Sequence, residues 1–267
     1  MVEIEPAPGA AAVTARQQYG GQRWDFTTAS KRAFMIQPMA AGADGARPWL
    51  WYQPTFLGPH PTNPGVNPGQ CIYPDDNHTW LFTRLLAQGF WIGGVEIGET
   101  YGDPAGRAAQ SAFYEAVVAK FGLAPRACLL AQSRGGLMHY NWAVEHAEWV
   151  ERIGAIYPVT NIRSWLGVAS IAQSGYGLTE DEMLRHMHEH NPIERLAPLA
   201  AHEVPILHVH GDQDSVVGIE ENSLEFARLY RALGGQTDIV IIPGKGHTSD
   251  PEFFQSQEML AFFLAQR

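Results

Sequence analysis

From residue 22 to the end of the chain, short apolar runs alternate with longer stretches in which apolar residues recur at three- and four-residue steps. The first pattern is that of buried strands and the second that of amphipathic helices. The runs predict eight strands: Arg23 to Ala29, Arg32 to Gln37, Trp49 to Gln53, Phe90 to Ile97, Ala127 to Gln132, Ile153 to Tyr157, Ile206 to His210 and Asp238 to Ile242. Helices are expected over Thr79 to Gln88, Gly106 to Phe121, Gly135 to Ala147, Ile219 to Leu233 and Pro251 to Ala265. One crossover helix between most strands predicts an α/β fold with a mostly parallel sheet, and the first two strands, which lack a helix between them, should form an antiparallel edge.

Two stretches break the alternation. Thr55 to His78 is rich in Pro, Gly and Asn and too long for a plain connection, which predicts a functional loop. Thr160 to Glu203 exceeds one crossover and contains a helical pattern around Thr179 to His190, so residues 160–203 are expected to form a small cap between the sixth and seventh strands. Without repeats or linker composition, residues 1–267 are expected to make one domain.

Composition narrows the function. The formal net charge is -10, with 18 basic against 28 acidic residues, which argues against a nucleic-acid partner. No apolar run approaches the ~20 residues of a membrane span. The start, Met1-Val2-Glu3-Ile4-Glu5-Pro6, has neither a basic segment nor an apolar h-region, so a soluble protein without a signal peptide at this start is expected, cytoplasmic or secreted after signal removal. Cys71 and Cys128 sit in unlike settings, a Pro/Gly-rich loop and an apolar run, and no bridge between them is expected.

Chemistry concentrates at three strand ends. The run Ala127-Cys128-Leu129-Leu130 breaks into Ala131-Gln132-Ser133-Arg134-Gly135-Gly136 and then becomes helical. A sharp strand-to-helix turn needs small residues two before and two after its centre, and Ala131 and Gly135 supply them around Ser133. Serine needs a base, and the base needs an orienting group. The seventh strand runs into His210-Gly211-Asp212-Gln213-Asp214-Ser215-Val216-Val217, and the eighth into Pro243-Gly244-Lys245-Gly246-His247. In a parallel sheet these loops share one edge, in the chain order Ser133, Asp214, His247.

That order, the acidic loop at 210 to 217 and the approach Asn191-Pro192-Ile193-Glu194-Arg195-Leu196-Ala197-Pro198 resemble the α/β-hydrolase superfamily, its serine esterase and prolyl oligopeptidase-like branches, over nearly the whole chain. The resemblance implies an α/β-hydrolase fold and a Ser133–Asp214–His247 triad that works without cofactor or metal. It also implies that the second Asp of the loop orients the histidine, which selects Asp214 and leaves Asp212 to brace the loop.

An oxyanion hole would be formed by the backbone N–H groups of Arg134 and of Phe56, in a loop that departs from the His-Gly-Gly-Gly of lipases. The Arg134 side chain either binds a carboxylate or an oxyanion, or packs on the surface. The Ser133-Arg134 pair is similar to that of glucuronoyl esterases, with Gln132 where they carry a Cys. Glu99 and Tyr101, after the fourth strand, either face the substrate or brace loops. His60, Asn63, His78, Trp80 and Trp165 suit a site that holds sugar rings. His186 and His190 stand four apart on one expected helical face, but the His-Glu-x-x-His order is missing, so a solvated cap helix is the favoured reading and no metal is expected. The implied function is a serine hydrolase, a carboxylesterase acting on a small-molecule or carbohydrate-linked ester through an acyl-enzyme. The alternatives are an oligopeptidase-like serine peptidase and a binding protein on the same scaffold.

Overall fold

A computed structural model describes residues 5–6, 14–39, 45, 47–53 and 74–265. The strands are β1 (Glu5–Pro6), β2 (Thr14–Gln18), β3 (Gly21–Thr28), β4 (Lys31–Gln37), β5 (Trp49–Gln53), β6 (Trp91–Val95), β7 (Ala127–Gln132), β8 (Val150–Ile156), β9 (Ile206–Gly211) and β10 (Thr237–Ile242). The helices are α1 (Thr79–Ala87), α2 (Pro104–Phe121), α3 (Gly135–Glu145), α4 (Val168–Ile171), α5 (Glu180–Arg185), α6 (Met187–His190), α7 (Ala197–Ala201), α8 (Glu225–Ala232), α9 (Pro251–Phe254) and α10 (Gln257–Leu264).

The strands form one sheet in the order β1-β3-β4-β6-β5-β7-β8-β9-β10, with β2 also on β3. β3 and β4 are antiparallel to their neighbours, and the run β6-β5-β7-β8-β9-β10 is parallel throughout. Eight strands were expected, and the described residues form ten. The two extra ones, β1 and β2, follow each other along the outer edge of β3, with Glu5 opposite Thr27 and Thr14 opposite Asp25. β2 reads Thr-Ala-Arg-Gln-Gln, and a polar edge strand carries no apolar alternation to reveal it.

β5 is buried at every position, which explains its unbroken Trp-Leu-Trp-Tyr run. One face of the sheet is covered by α2, α3, α7 and α8, through Phe113, Trp142, Leu199 and Phe226. The other is covered by α1, α9 and α10, through Leu85, Phe254 and Phe263. α2 begins where Asp103 accepts the Gly106 N–H at 2.6 Å, and it ends at Gly122, whose φ of 60° closes the last turn.

Two expected helices prove interrupted. The pattern over 179–190 breaks at His186 into α5 and α6. The one over 251–265 breaks before Ser256, whose hydroxyl accepts the Met259 N–H at 3.0 Å and starts α10. Residues between β8 and β9 carry α4 to α7, and Ile162, Ile171, Met183 and Met187 pack there with Tyr101, Leu137 and Val217. The strand order reverses beside β5, which lies between β6 and β7, and in open α/β sheets such a switch point, at the carboxyl ends of the strands, is where ligands bind.

Candidate active site

Ser133 follows β7 at that switch point. Its φ is 51°, a left-handed backbone that costs a non-glycine residue energy and is held here by surrounding hydrogen bonds. Its N–H donates to Ile156 O at 3.0 Å, and its carbonyl accepts from Gly136 N and Val159 N, both at 2.9 Å. α3 then starts at once, and at Gly136 an added Cβ would lie 2.4 Å from Val159 O. This close approach thus falls three positions after Ser133, one past the expected Gly135.

β9 and β10 deliver the other two groups. Asp214 Oδ1 accepts the N–H groups of Val216 at 2.9 Å and Val217 at 2.8 Å, a turn that fixes the carboxyl against its own loop. Oδ2 accepts the His247 Nδ1–H at 2.7 Å, and the Ser133 hydroxyl stands 2.9 Å from His247 Nε2. The Asp214 carboxyl is fully buried. Burial alone would raise its pKa, but hydrogen bonds from His210, His247 and the Val217 N–H outweigh that and hold it well below the usual carboxylate range.

Asp212 faces elsewhere and accepts the Gly244 N–H at 2.7 Å, while Gln213 N–H reaches Lys245 O at 2.9 Å, so the two loops are laced together. Gly211 has no room for a side chain, since a Cβ there would sit 2.2 Å from Lys245 O.

Arg134 is the residue before α3, which puts its backbone N–H at the positive end of an eleven-residue helix. Its guanidinium pairs with Glu99 at 2.6 Å and lies 5.9 Å from the centre of the Trp165 ring. Burial pushes the Glu99 carboxyl up to about 7, and the charge of Arg134 only partly opposes it. Tyr101 is buried, its ring 6.0 Å from that of Trp165 and its carbonyl accepting from the Tyr176 hydroxyl at 3.1 Å. It braces the loop after β6 against the segment between β8 and β9. Phe56, His60, Asn63 and Cys71 lie outside the described residues. Cys128 is buried in β7.

His78 is buried, with Nδ1 2.8 Å from Asp75 Oδ1 and Nε2 3.2 Å from Gln132 Oε1, which also accepts from the Tyr52 hydroxyl at 2.7 Å. These groups brace the residue before Ser133 and sit too deep to hold a sugar ring. His186 pairs with Glu189 at 2.9 Å, and the break at His186 parts it from His190, which packs 4.7 Å from the Tyr176 ring. Among the described residues, no three His, Cys, Asp or Glu side chains are placed to hold a metal. No helix among them is long and apolar enough to cross a membrane.

Sequence reasoning missed Tyr157, whose ring centre is 4.2 Å from that of His247 and whose φ is 35°. Its position at the end of β8, beside β7 on the same sheet edge, was the available signal. His210, 3.4 Å from Asp214 Oδ2, was also missed.

Residues 110–266 match the sequence model of the prolyl oligopeptidase family. The chain belongs to the prolyl oligopeptidase family. Structural neighbours extend the likeness to α/β-hydrolases at large. An S-formylglutathione hydrolase from Agrobacterium tumefaciens superposes with a TM-score of 0.69 at 12% identity, over 93% of this chain and 95% of that one. A truncated carbohydrate esterase from gut microbiota gives 0.64 at 14%, over 97% and 98%. Dipeptidyl peptidase 4 of Porphyromonas gingivalis gives 0.63 at 16%, over 83% of this chain but 31% of that one. No curated protein matches the sequence. The fold is that of the α/β-hydrolases, and the family places the protein among serine hydrolases.

Proposed function

We propose that this member of the prolyl oligopeptidase family is a serine carboxylesterase with Ser133 as nucleophile, His247 as general base and Asp214 as the orienting acid. The observation that carries this reading is the 2.9 Å approach of Ser133 Oγ to His247 Nε2, with Asp214 2.7 Å behind the imidazole. His247 takes the hydroxyl proton as Ser133 attacks the ester carbonyl, and Asp214 stabilises the imidazolium. The tetrahedral oxygen is received by the N–H of Arg134 and by that of Phe56, each worth about 3 to 4 kcal/mol. His247 then protonates the leaving alcohol, and water resolves the acyl-enzyme by the same steps in reverse.

The substrate class we favour is a small carbohydrate-linked ester. Arg134 and Glu99 form a paired hydrogen-bonding edge beside the nucleophile, with the Trp165 ring against it, and this suits the hydroxyls of a sugar. Residues 160–203 are proposed to cap that side of the site. Small neighbours with esterase chemistry align along almost their whole length, which supports an ester. Family membership favours a second reading, a serine peptidase of small peptides.

Intact-mass analysis of wild type and Ser133→Ala after a fluorophosphonate tests the nucleophile, with one adduct expected on wild type and none on the variant. A panel of p-nitrophenyl esters and aminoacyl p-nitroanilides then separates the two substrates; turnover of the anilides alone would replace the esterase reading.

A further inference from the structure

His208 and His210 stand two apart on β9 and so point to the same face of the sheet, towards α3 and α8. His208, His210, Ser223 and Tyr140 are all fully buried. Ser223 lies in a π-turn over Glu220–Leu224, closed by the Leu224 N–H on Ile219 O at 3.0 Å, and this widened turn offers its hydroxyl to both imidazoles. Ser223 Oγ is 2.7 Å from His210 Nδ1 and 2.8 Å from His208 Nδ1, and His208 Nε2 is 2.7 Å from the Tyr140 hydroxyl.

The directions of these bonds follow from one fixed acceptor. Val217 O, a carbonyl, lies 2.9 Å from His210 Nε2, so that nitrogen carries the proton and aims it between Val217 O and Asp214 Oδ2, 3.4 Å away. His210 Nδ1 then accepts from Ser223 O–H; were it protonated too, the chain would run the other way, Ser223 donating to His208 Nδ1 and His208 Nε2–H to the Tyr140 oxygen, and the buried Tyr140 hydrogen would lose its acceptor. Ser223, its own hydrogen spent, accepts from His208 Nδ1–H, and His208 Nε2 accepts from Tyr140 O–H. Both imidazoles are therefore neutral, in keeping with the burial that pushes His208 down to about 3. On the other side, Ser133 O–H donates to His247 Nε2 and His247 Nδ1–H donates to Asp214 Oδ2.

We propose that His210 is a positioning residue for Asp214 and His247, and that Ser223, His208 and Tyr140 act through it by fixing its tautomer. One chain of hydrogen bonds thus runs from a phenol in the core to the Ser133 hydroxyl, with every donor directed at the buried carboxylate. The inference rests on the assignment of Ser133, His247 and Asp214 made above. Losing the His210 Nε2–H leaves more negative charge on Asp214, which stabilises the imidazolium of His247 and removes the neutral base at neutral pH. The other groups facing His247 are Ser133 and the Tyr157 ring, and Asp214 is faced also by the N–H groups of Val216 and Val217. Lys245, on the His247 loop, is held by Asp250 and Glu252.

The test is the rate of fluorophosphonate labelling of Ser133 as a function of pH, with thermal unfolding run in parallel, for wild type, His210→Leu, His210→Gln and Ser223→Ala. In His210→Leu the acidic limb is expected to move up by about half a pH unit or more, and labelling on that limb to fall by about threefold for each half unit. His210→Gln, which can keep an N–H near the Nε2 position, should restore the limb, and Ser223→Ala should move it the same way by less. A wild-type limb in folded His210→Leu overturns the proposal, as does a wild-type limb in Ser223→Ala should His210→Leu fail to fold. No adduct on wild type removes the nucleophile assignment itself, a different result from an adduct whose pH limb ignores these variants.

Discussion

Asp214 Oδ2 lies 2.7 Å from His247 Nδ1, whereas Asp212, two residues earlier on the same loop, spends its carboxylate on the Gly244 N–H at 2.7 Å. Asp214→Asn is therefore expected to lower kcat/KM by about ten-thousand-fold, because the amide no longer holds the imidazole in the tautomer the base needs. Asp212→Asn keeps an oxygen for Gly244 and should cost less than about tenfold. Ester hydrolysis by both variants decides this, and the reverse ranking would transfer the role to Asp212.

The same carboxylate makes stability depend on acid. Its pKa in the folded protein is depressed, so its contribution is complete above the ordinary value of about 3.9 and is lost as the pH falls through the folded value. Urea midpoints of wild type and Asp214→Asn should keep a constant separation from pH 7 to about 4 and converge below. Convergence beginning near neutrality would contradict this origin.

Glu99 has the opposite sign. A carboxyl raised to about 7 favours folding in its neutral form, so its contribution is greatest below the ordinary value of about 4.3 and declines until about pH 7. The melting temperature of Glu99→Gln relative to that of wild type should therefore rise over that window and level off above it.

Because Arg134 is engaged by Glu99 at 2.6 Å, Arg134→Ala should lower kcat/KM for anionic and neutral esters to a similar extent. A loss confined to anionic esters would make Arg134 a reader of substrate carboxylates.

Gly136→Ala forces a methyl to within 2.4 Å of Val159 O and 3.0 Å of Pro158 Cβ. The turn carrying Ser133 must open to admit it, which should destabilise the fold by about 1 to 3 kcal/mol and depress turnover as well. Chemical denaturation and ester hydrolysis read the two effects separately.

The parallel core of the sheet was legible along the chain because β5 and β7 are buried on both faces and so read as near-continuous apolar runs bounded by helical periodicity. The breaks at His186 and Ser256 were not, since a helix stop depends on which backbone groups find partners elsewhere. Polar β2 gave no signal, because an edge strand owes its existence to the neighbour it pairs with.

At the site, local constraint and long-range contact divide in the same way. The turn at Ser133, the acidic loop after β9 and the glycine-bounded His247 are each encoded within a few residues, since each obeys short-range steric and hydrogen-bonding rules. Their convergence follows from parallel topology alone. The pairing of Arg134 with Glu99, the Tyr157 ring over His247 and the path from Tyr140 to Asp214 join residues with no fixed spacing. Those contacts were decided only when the strands and helices packed, because burial forces each polar atom to take whatever partner the fold brings within reach.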